Sequence, residues 1–378
     1  MFSRKIWPLA LAMVVLLTAG ACAPTASSPT AAPTKAAAAA PTQAASIATP
    51  ATAATPAAPA ATAKPVTLKY GSLPGVFNAA FYVGMDKGYF KEQGITIETV
   101  DFKAINDLIA PLGTGQLDII GMPPSAPLIT AADRGIELKM VAGLSASAAP
   151  TYEHTWIVLR KDLKDSGQVK TAADLKGQKV AITSPGGLAD QTVQIMLDQA
   201  KLKPGTDVEV VTLAAADATA AFANKAIAAG YTLEPQASQS VQQGIAEKWL
   251  PISQFFGGKV QTGVIIYGPN MFKDKDVAQR FMVAYLKGAR DYLASLASKD
   301  KRTDTVNSLI KYTPVKDPKV YDLMQLPYVD PNGQPDKSSL DSQYKFWVDK
   351  EVYKGTKTFD DITDLSYINY AVQKLGKQ

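Results

Sequence analysis

The feature that most constrains this chain is a regular alternation of strand and helix patterns that begins near residue 66. Segments such as VTLKYGSL and ITIETVDF have the composition of strands, and helical segments such as FNAAFYVGMDKGYFKEQG lie between them. Strands and helices that alternate in this way form a parallel sheet with helices on both faces. The sequence through IELKMVAGL therefore predicts a β-α-β-α-β-α-β unit, and a second α/β unit follows from Thr155.

The length of this region predicts two lobes, because residues 66–378 exceed what one hydrophobic core usually serves. We expect a first lobe from residues 66–153 and 264–378 and a second lobe from residues 154–263. The segment VQTGVIIYG predicts the strand that returns to the first lobe, and DKDVAQRFMVAYLKGARDYLASLAS predicts a long amphipathic helix. A ligand cleft is expected between the lobes, where strand ends and helix N-termini converge.

The N-terminus has the pattern of an export signal. Arg4 and Lys5 precede the apolar run IWPLALAMVVLLT, and Ala-Gly-Ala then precedes Cys22, the only cysteine of the chain. This pattern predicts a signal peptide over residues 1–21. It also resembles a bacterial lipobox, although Ala19 stands where leucine is usual, so we expect a lipid on Cys22. A plain secretory signal beside a chance cysteine is the alternative.

Residues 22–64 are predicted to be a lipidated cysteine followed by a disordered tether. The tract after Cys22 consists almost entirely of Ala, Thr and Pro, with few large apolar side chains to offset the entropy of ordering. The same composition is also typical of a glycosylated stalk, and the two interpretations are compatible. We therefore expect a protein at the extracytoplasmic face of the cell membrane that contacts the membrane through its lipid anchor only.

Charge and residue counts exclude several classes of function. Loss of Arg4 and Lys5 with the signal lowers the net charge from +5 to +3, too mild and too evenly spread for a nucleic-acid partner. Without a cysteine after residue 22, thiol catalysis and zinc-finger sites are excluded. A Ser-His-Asp triad would need His154, the single histidine, whose surroundings YEHTWIVLR predict a strand. We expect no enzyme activity, no catalytic residue, no metal and no cofactor.

Four segments in order resemble one known family. They are FYVGMDKGYFKEQGITIETV, LGTGQLDIIGMPPSAPLITAADRGIELKMVA, TAADLKGQKVAITSPGGLADQTVQIML and AAFANKAIAAGYTLEP. Together they cover roughly residues 66–270 and resemble the solute-binding proteins of ABC importers, in the group that binds nitrate, sulfonates and the thiamine pyrimidine precursor. In the last segment Lys225 and Ala228 replace a glycine and an aspartate that are usual in the family, which weakens residue-level transfer there.

This resemblance implies a fold, partners and a localisation. The fold would be the two-lobed α/β periplasmic-binding-protein type II fold, with the ligand cleft between the lobes. The partners would be a small-molecule ligand and the permease and ATPase subunits of an importer, and we expect the binding protein to be a monomer. A tethered domain that senses a ligand for a membrane kinase is an alternative. Relatives of this fold that synthesise the thiamine pyrimidine carry a cysteine-rich motif, which this chain lacks.

Segments that follow strands are expected to line the cleft. Each candidate has a second, structural explanation: the aromatic rings could pack in the core, Ser125 and Asp190 could cap helices, the glycines could serve a turn, Glu234 could start a helix, and Trp156 could fill the hinge. The predicted ligand-binding residues are Phe77, Phe81, Tyr82, Pro124, Ser125, Trp156, Ser184, Gly186, Gly187, Asp190, Tyr231 and Glu234.

The predicted lining favours a flat, neutral nitrogen heterocycle. It contains aromatic rings, one carboxylate and few cations, whereas a sulfonate or nitrate site requires cations and N–H donors. Rings such as Tyr231 would stack on the ligand, and Glu234 would accept hydrogen bonds from its N–H groups. The order of expectation is riboflavin, then the thiamine pyrimidine precursor, then a sulfonate or nitrate.

Overall fold

The computed structural model describes residues 64–378. The predicted signal peptide, Cys22 and the tether lie outside the described residues. The part of the chain from residue 64 onward contains ten strands: β1 (Val66–Ser72), β2 (Ile95–Asp101), β3 (Ile119–Met122), β4 (Lys139–Ala148), β5 (Thr155–Arg160), β6 (Lys179–Ile182), β7 (Glu209–Thr212), β8 (Ala229–Leu233), β9 (Ala246–Pro251) and β10 (Lys259–Tyr267).

Helices connect and cover these strands. They are α1 (Ala79–Asp86), α2 (Tyr89–Glu92), α3 (Ile109–Gly113), α4 (Ala126–Asp133), α5 (Lys161–Asp165), α6 (Leu188–Gln199), α7 (Ala218–Ala223), α8 (Gln236–Gln242), α9 (Pro269–Lys273), α10 (Lys275–Leu296), α11 (Lys299–Tyr312), α12 (Pro318–Asp322), α13 (Lys337–Asp349) and α14 (Ser366–Leu375). The helix predicted from FNAAFYVGMDKGYFKEQG is divided into α1 and α2, because Gly88 between them adopts a positive φ of 79°. None of the helices that the structure describes is long and apolar enough to cross a membrane.

The ten strands form two sheets of the same design. The first has the order β2-β1-β3-β10-β4 and the second the order β7-β6-β8-β5-β9. In each sheet four strands run in the same direction, and the remaining strand, β10 or β5, lies fourth in the order and pairs antiparallel with both neighbours. The prediction of a purely parallel sheet is therefore wrong: β10 returns from the other sheet and runs against the strands between which it inserts.

The chain crosses between the sheets twice. Residues 149–154 connect β4 to β5, and residues 252–258 connect β9 to β10. The strand predicted in VQTGVIIYG is confirmed as the one that returns to the first sheet, since it forms most of β10. We call each sheet with its covering helices a lobe, so the two crossings form the hinge between two α/β lobes.

The first lobe has the larger core. The predicted amphipathic helix is α10, which buries Phe281, Tyr285 and Tyr292. It packs closely on α1, because a Cβ at Gly288 would lie 2.7 Å from the carbonyl oxygen of Ala80. Residues beyond α10 complete this core, with Trp347 of α13 fully buried.

Candidate functional site

A cavity of about 270 Å³ lies between the lobes. Its walls are segments that follow β1, β2, β7 and β8, so it lies where the carboxyl ends of parallel strands of both sheets meet. A turn that follows α11 adds Pro314. The lining residues are Leu73, Pro74, Gly75, Phe77, Asp101, Phe102, Lys103, Ala215, Ala216, Leu233, Glu234, Gln236 and Pro314.

A narrow crevice of about 10 Å³ adjoins this cavity and shares Leu233 with it. Its walls come from the segments after β3 and β6 and from the N-terminus of α6. The structure thus brings five of the predicted residues together in one place. They are Pro124, Ser125, Ser184, Gly187 and Tyr231.

The crevice has donors suited to an anion. It lies at the N-terminus of α6, where the first-turn N–H groups have no intrahelical acceptor and carry partial positive charge. Ser184 and Tyr231 line the same space, and the hydroxyl group of Ser184 lies beside Gly187. Ser125 also caps α4, since its Oγ accepts a hydrogen bond of 3.3 Å from the amide of Leu128. None of the residues that line this crevice carries a charged side chain.

Contacts across the crevice hold the lobes together. The amide of Ala126 in the first lobe donates to the carbonyl of Gly186 in the second, at 3.0 Å. Gly186 has a φ of 67°, a conformation that glycine adopts without strain. It does not line the crevice. Asp190 accepts from the amide of Gly186 at 2.9 Å and from Gln194 Nε2 at 2.8 Å, so its carboxylate orders the turn before α6.

Glu234 forms part of the cavity wall and is held by partners within the protein. Its buried carboxylate accepts hydrogen bonds of 3.0 Å from both the amide and the hydroxyl of Ser238. Lys248 Nζ lies 2.5 Å from Glu234 Oε1. Burial raises the pKa of Glu234 above its ordinary value, and the charge of Lys248 opposes that shift. Its hydrogen-bonding capacity is thus largely used inside the protein.

The three aromatic residues predicted in the first segment separate in the structure. Phe77 lines the cavity, whereas Phe81 is fully buried and stacks on Tyr70 with ring centroids 3.9 Å apart. Tyr82 is also buried and stacks on Tyr312 at 5.2 Å. Its pKa is raised, first by burial and then by the negative charge of Asp101. Phe81 and Tyr82 therefore pack in the first lobe and are not among the residues that line the cavity or the crevice.

Trp156 and His154 lie at the start of the second lobe. Trp156 packs with the apolar cluster of α7 and α8 on one face of the second sheet, with Lys248 Nζ 5.7 Å from its ring centre. It does not line the cavity or the crevice. His154 is fully buried between the hydroxyl groups of Ser147 and Thr262, each 3.2 Å away, and desolvation lowers its pKa to about 3.

Several lining residues were missed by the sequence analysis. Asp101, Phe102 and Lys103 follow β2, so the rule that strand ends meet the cleft also predicts them. No local sequence pattern predicts Lys248 or Pro314. The pairing of β9 with β5 brings Lys248 to Glu234 in the cavity wall, and the path of the C-terminal segment brings Pro314 to the cavity. Within residues 64–378, no group of three or more His, Cys, Asp or Glu side chains could hold a metal ion.

Two lobes joined by two crossings, with a cavity between them, define the periplasmic-binding-protein type II fold. The chain is more particularly a member of the NMT1/THI5-like family, which matches residues 78–295, more than half of its length. The nitrate-binding protein NrtA from Synechocystis PCC 6803 superposes with a TM-score of 0.67 at 18% identity, covering 83% of this chain and 90% of that protein. The predicted type II fold is therefore confirmed.

Two proteins named for binding sulfonates are also similar. The alkanesulfonate-binding protein SsuA from Xanthomonas axonopodis pv. citri, in a structure with MOPS bound, superposes with a TM-score of 0.61 at 18% identity and covers 80% of this chain and 99% of that protein. An aliphatic sulfonates-binding protein of Escherichia coli (strain K12) is 31% identical over 148 residues, which is 39% of this chain and 43% of that protein. The matched segment thus covers less than half the length of that relative.

The same fold also occurs in an enzyme. The desulfurization enzyme DSZB superposes with a TM-score of 0.58 at 14% identity, covering 82% of this chain and 99% of that chain. Fold likeness at such identity carries no chemistry, so the residues of the site must decide between binding and catalysis.

Proposed function

We propose that this protein is the solute-binding subunit of an ABC importer and that its solute is a small organic sulfonate. The observation that carries the proposal is the paired site between the lobes: an uncharged crevice of hydroxyl and amide donors beside a largely apolar cavity. Membership of the NMT1/THI5-like family and the similarity to proteins named for binding sulfonates support it.

The crevice suits the anionic head of such a solute without a cation, because the free amides and partial positive charge at the N-terminus of α6 take the role expected of a cation. A sulfonate oxygen would accept hydrogen bonds from the first-turn amides of α6 and from the hydroxyl group of Ser184. The crevice is smaller than a sulfonate group, so the head would enter when the contact between Ala126 and Gly186 opens at the hinge. Closure of the lobes would then remove water from the head group.

The cavity suits an organic tail better than an inorganic ion. Leu73, Phe77, Phe102 and Leu233 give it apolar walls that would pack on a hydrocarbon chain or ring. A nitrate ion would leave this volume without apolar contact. For this reason we favour an organic sulfonate over nitrate.

The expectation of riboflavin is less well supported than a sulfonate. It depended on the rings of Phe77, Phe81, Tyr82 and Tyr231 and on a free carboxylate at Glu234. Phe77 and Tyr231 do line the site, but Phe81 and Tyr82 pack in the first lobe, and Lys248 and Ser238 already engage Glu234. The relatives reported above are named for binding sulfonates or nitrate. Riboflavin and the thiamine pyrimidine precursor therefore serve as competing ligands in the test.

Calorimetric titration of the purified protein with butanesulfonate, nitrate, riboflavin and the thiamine pyrimidine precursor tests this proposal. We expect butanesulfonate to bind most tightly. Ser184→Ala should weaken its binding about tenfold or more, because a hydrogen bond to a charged group contributes about 1.5–3 kcal/mol. Thr206→Ala, an exposed change elsewhere in the second lobe, is the matched control. Tight binding of a heterocycle with no binding of butanesulfonate would refute the sulfonate assignment.

We further propose that Cys22 carries a lipid that holds the protein at the extracytoplasmic face of the cell membrane, beside a permease and its ATPase. The sequence around Cys22 supports this location. Replacement of Cys22 with Ser should move the protein from the membrane fraction to the soluble fraction or leave it unprocessed. Unchanged partition into membranes would refute the anchor.

A further inference from the structure

The segment from Thr313 to Tyr328, which we call the C-terminal strap, connects the two lobes a third time. It lies beyond residues 78–295, the part that matches the family. It leaves α11 of the first lobe, carries α12 against α8 of the second lobe, and returns to pair with β4 of the first at Tyr328. A connection of this kind would have to stretch or detach when the cleft opens.

Two polar contacts fix the strap to the second lobe. Gln242 Nε2 of α8 donates to Asp317 Oδ2 at 3.0 Å. Lys248 Nζ of β9 donates to the carbonyl of Leu323 at 2.6 Å. Since Lys248 also pairs with Glu234 in the cavity wall, one side chain links that wall to the strap.

Other contacts fix the strap to the first lobe and to the hinge. Arg302 of α11 donates to the carbonyls of Tyr321 at 3.0 Å and Met324 at 2.8 Å. The amide of Glu153, in the first crossing between the lobes, donates to Gln325 Oε1 at 2.9 Å. The strap is therefore attached at both lobes and at the crossing about which they would move.

The strap also forms part of the site itself. Pro314 lines the cavity opposite segments that come from both sheets. The turn that carries it is held by Tyr321, whose hydroxyl lies 2.5 Å from Thr313 Oγ1 and donates to the carbonyl of Val315 at 2.9 Å. A displacement of the strap would thus change the cavity directly.

We infer that the C-terminal strap limits how far the cleft opens. The inference rests on the proposed function in one respect, namely that a cleft which binds a solute must open and close. Opening separates α8 from the first lobe, so the contacts of Asp317 and Leu323 with the second lobe oppose it. Weakening them increases the open population and speeds release of the solute.

Distances between spin labels test the strap without any ligand. Labels on Glu98→Cys in the first lobe and Thr206→Cys in the second would be placed in the full-length chain with Cys22→Ser, which leaves no other thiol. The variant joins Gln242→Ala with Asp317→Asn, both at exposed positions. Asparagine is chosen because it can still accept the hydrogen bond from the amide of Lys319 that caps α12. Asp322→Ala is the control, because Asp322 lies in the same segment and is exposed. Its side chain makes no hydrogen bond or ion pair among residues 64–378.

We expect the double variant to shift the label distances toward longer values, with an open population raised about two- to tenfold, the range that corresponds to the loss of one net hydrogen bond. The control should match the parent. In stopped flow, the double variant should release butanesulfonate faster by a similar factor. Label distances that are the same in the double variant and the control would overturn the inference. Failure of butanesulfonate to bind, with shifted distances, would count against the sulfonate proposal and leave the strap supported.

Discussion

At the scale of single residues, two buried ionisable groups connect the site to the stability of the fold. Glu234 is buried at the cavity wall and depends on Lys248, whose side chain is only 15% exposed. His154 is buried at the hinge between two hydroxyl groups. Burial favours the neutral form of each group, so it raises the pKa of Glu234 and lowers the pKa of His154. Each group therefore makes the free energy of unfolding depend on pH.

Replacing Lys248 with Met should destabilise the protein by about 3–5 kcal/mol at pH 7.5, because it leaves a buried carboxylate without its partner. Burial raises the pKa of Glu234 above its ordinary value of 4.5, so the penalty grows as pH rises above 4.5 and is smaller at pH 5 than at pH 7.5. Urea unfolding at the two pH values measures this. Adding Glu234→Gln should recover much of the loss, and an equal penalty at both pH values would contradict the explanation.

His154→Gln should change how the free energy of unfolding depends on pH below 6.5. The pKa of His154 falls to about 3 from 6.5, so the unfolded chain binds a proton below pH 6.5 that the folded chain does not. The parent therefore loses stability as pH falls below 6.5, by up to about 1.4 kcal/mol per pH unit from this group. The variant should lack that contribution in unfolding experiments between pH 7.5 and 5. An unchanged slope would show that His154 is accessible to protons in the folded state.

At the scale of elements, the tightest helix contact is that of α1 with α10. A Cβ added at Gly288 of α10 would lie 2.7 Å from both the carbonyl oxygen of Ala80 and the Cα of Gly84 in α1. These are backbone atoms, which cannot move aside as the end of a side chain can. The same contact holds the helix that follows Phe77, so it positions one wall of the cavity.

Gly288→Ala should therefore destabilise the protein by about 1–3 kcal/mol, the usual cost of overpacking. Gly84→Ala is the matched control on the facing helix, because its Cβ would meet its nearest neighbour at 3.3 Å, the edge of a Phe90 ring that can shift. Thermal unfolding of both variants compares them directly. A loss for Gly84→Ala as large as that for Gly288→Ala would contradict the explanation, because it would mean that the close backbone contact does not set the cost.

At the scale of the whole molecule, the part beyond the matched family region completes the fold. The region after residue 295 contributes α11–α14 and the C-terminal strap. Its buried side chains include Trp347 of α13 and Ile368 of α14, both with no exposed surface. This region does not form a separate domain, since α14 packs on α10 and α13 on β10 in the first lobe, and α13 also contacts α6 in the second.

Removal of residues 366–378 should cost about 5 kcal/mol or more, because it exposes the surface that Tyr367, Ile368 and Ala371 cover on α10. Circular dichroism during urea unfolding measures the loss. Deletion of only residues 377–378, which are exposed, should have a small effect and serves as the control. Equal stability of the two truncated proteins would show that α14 is dispensable for the core.

The sequence by itself determined the α/β class, the return of β10 to the first sheet and the location of a cleft at strand ends, because these follow from periodicities that a few neighbouring residues encode. It predicted Ser125, Ser184 and Tyr231 as residues of one site, and all three line the crevice. Only the tertiary structure decided that Phe81 and Tyr82 pack inside the first lobe, since helix spacing alone does not say which face of α1 meets α10. It also decided the mixed sheets, the pairing of Lys248 with Glu234 and the path of the C-terminal strap. These contacts join residues far apart in the chain, and their existence depends on how sheets and helices pack rather than on any local pattern.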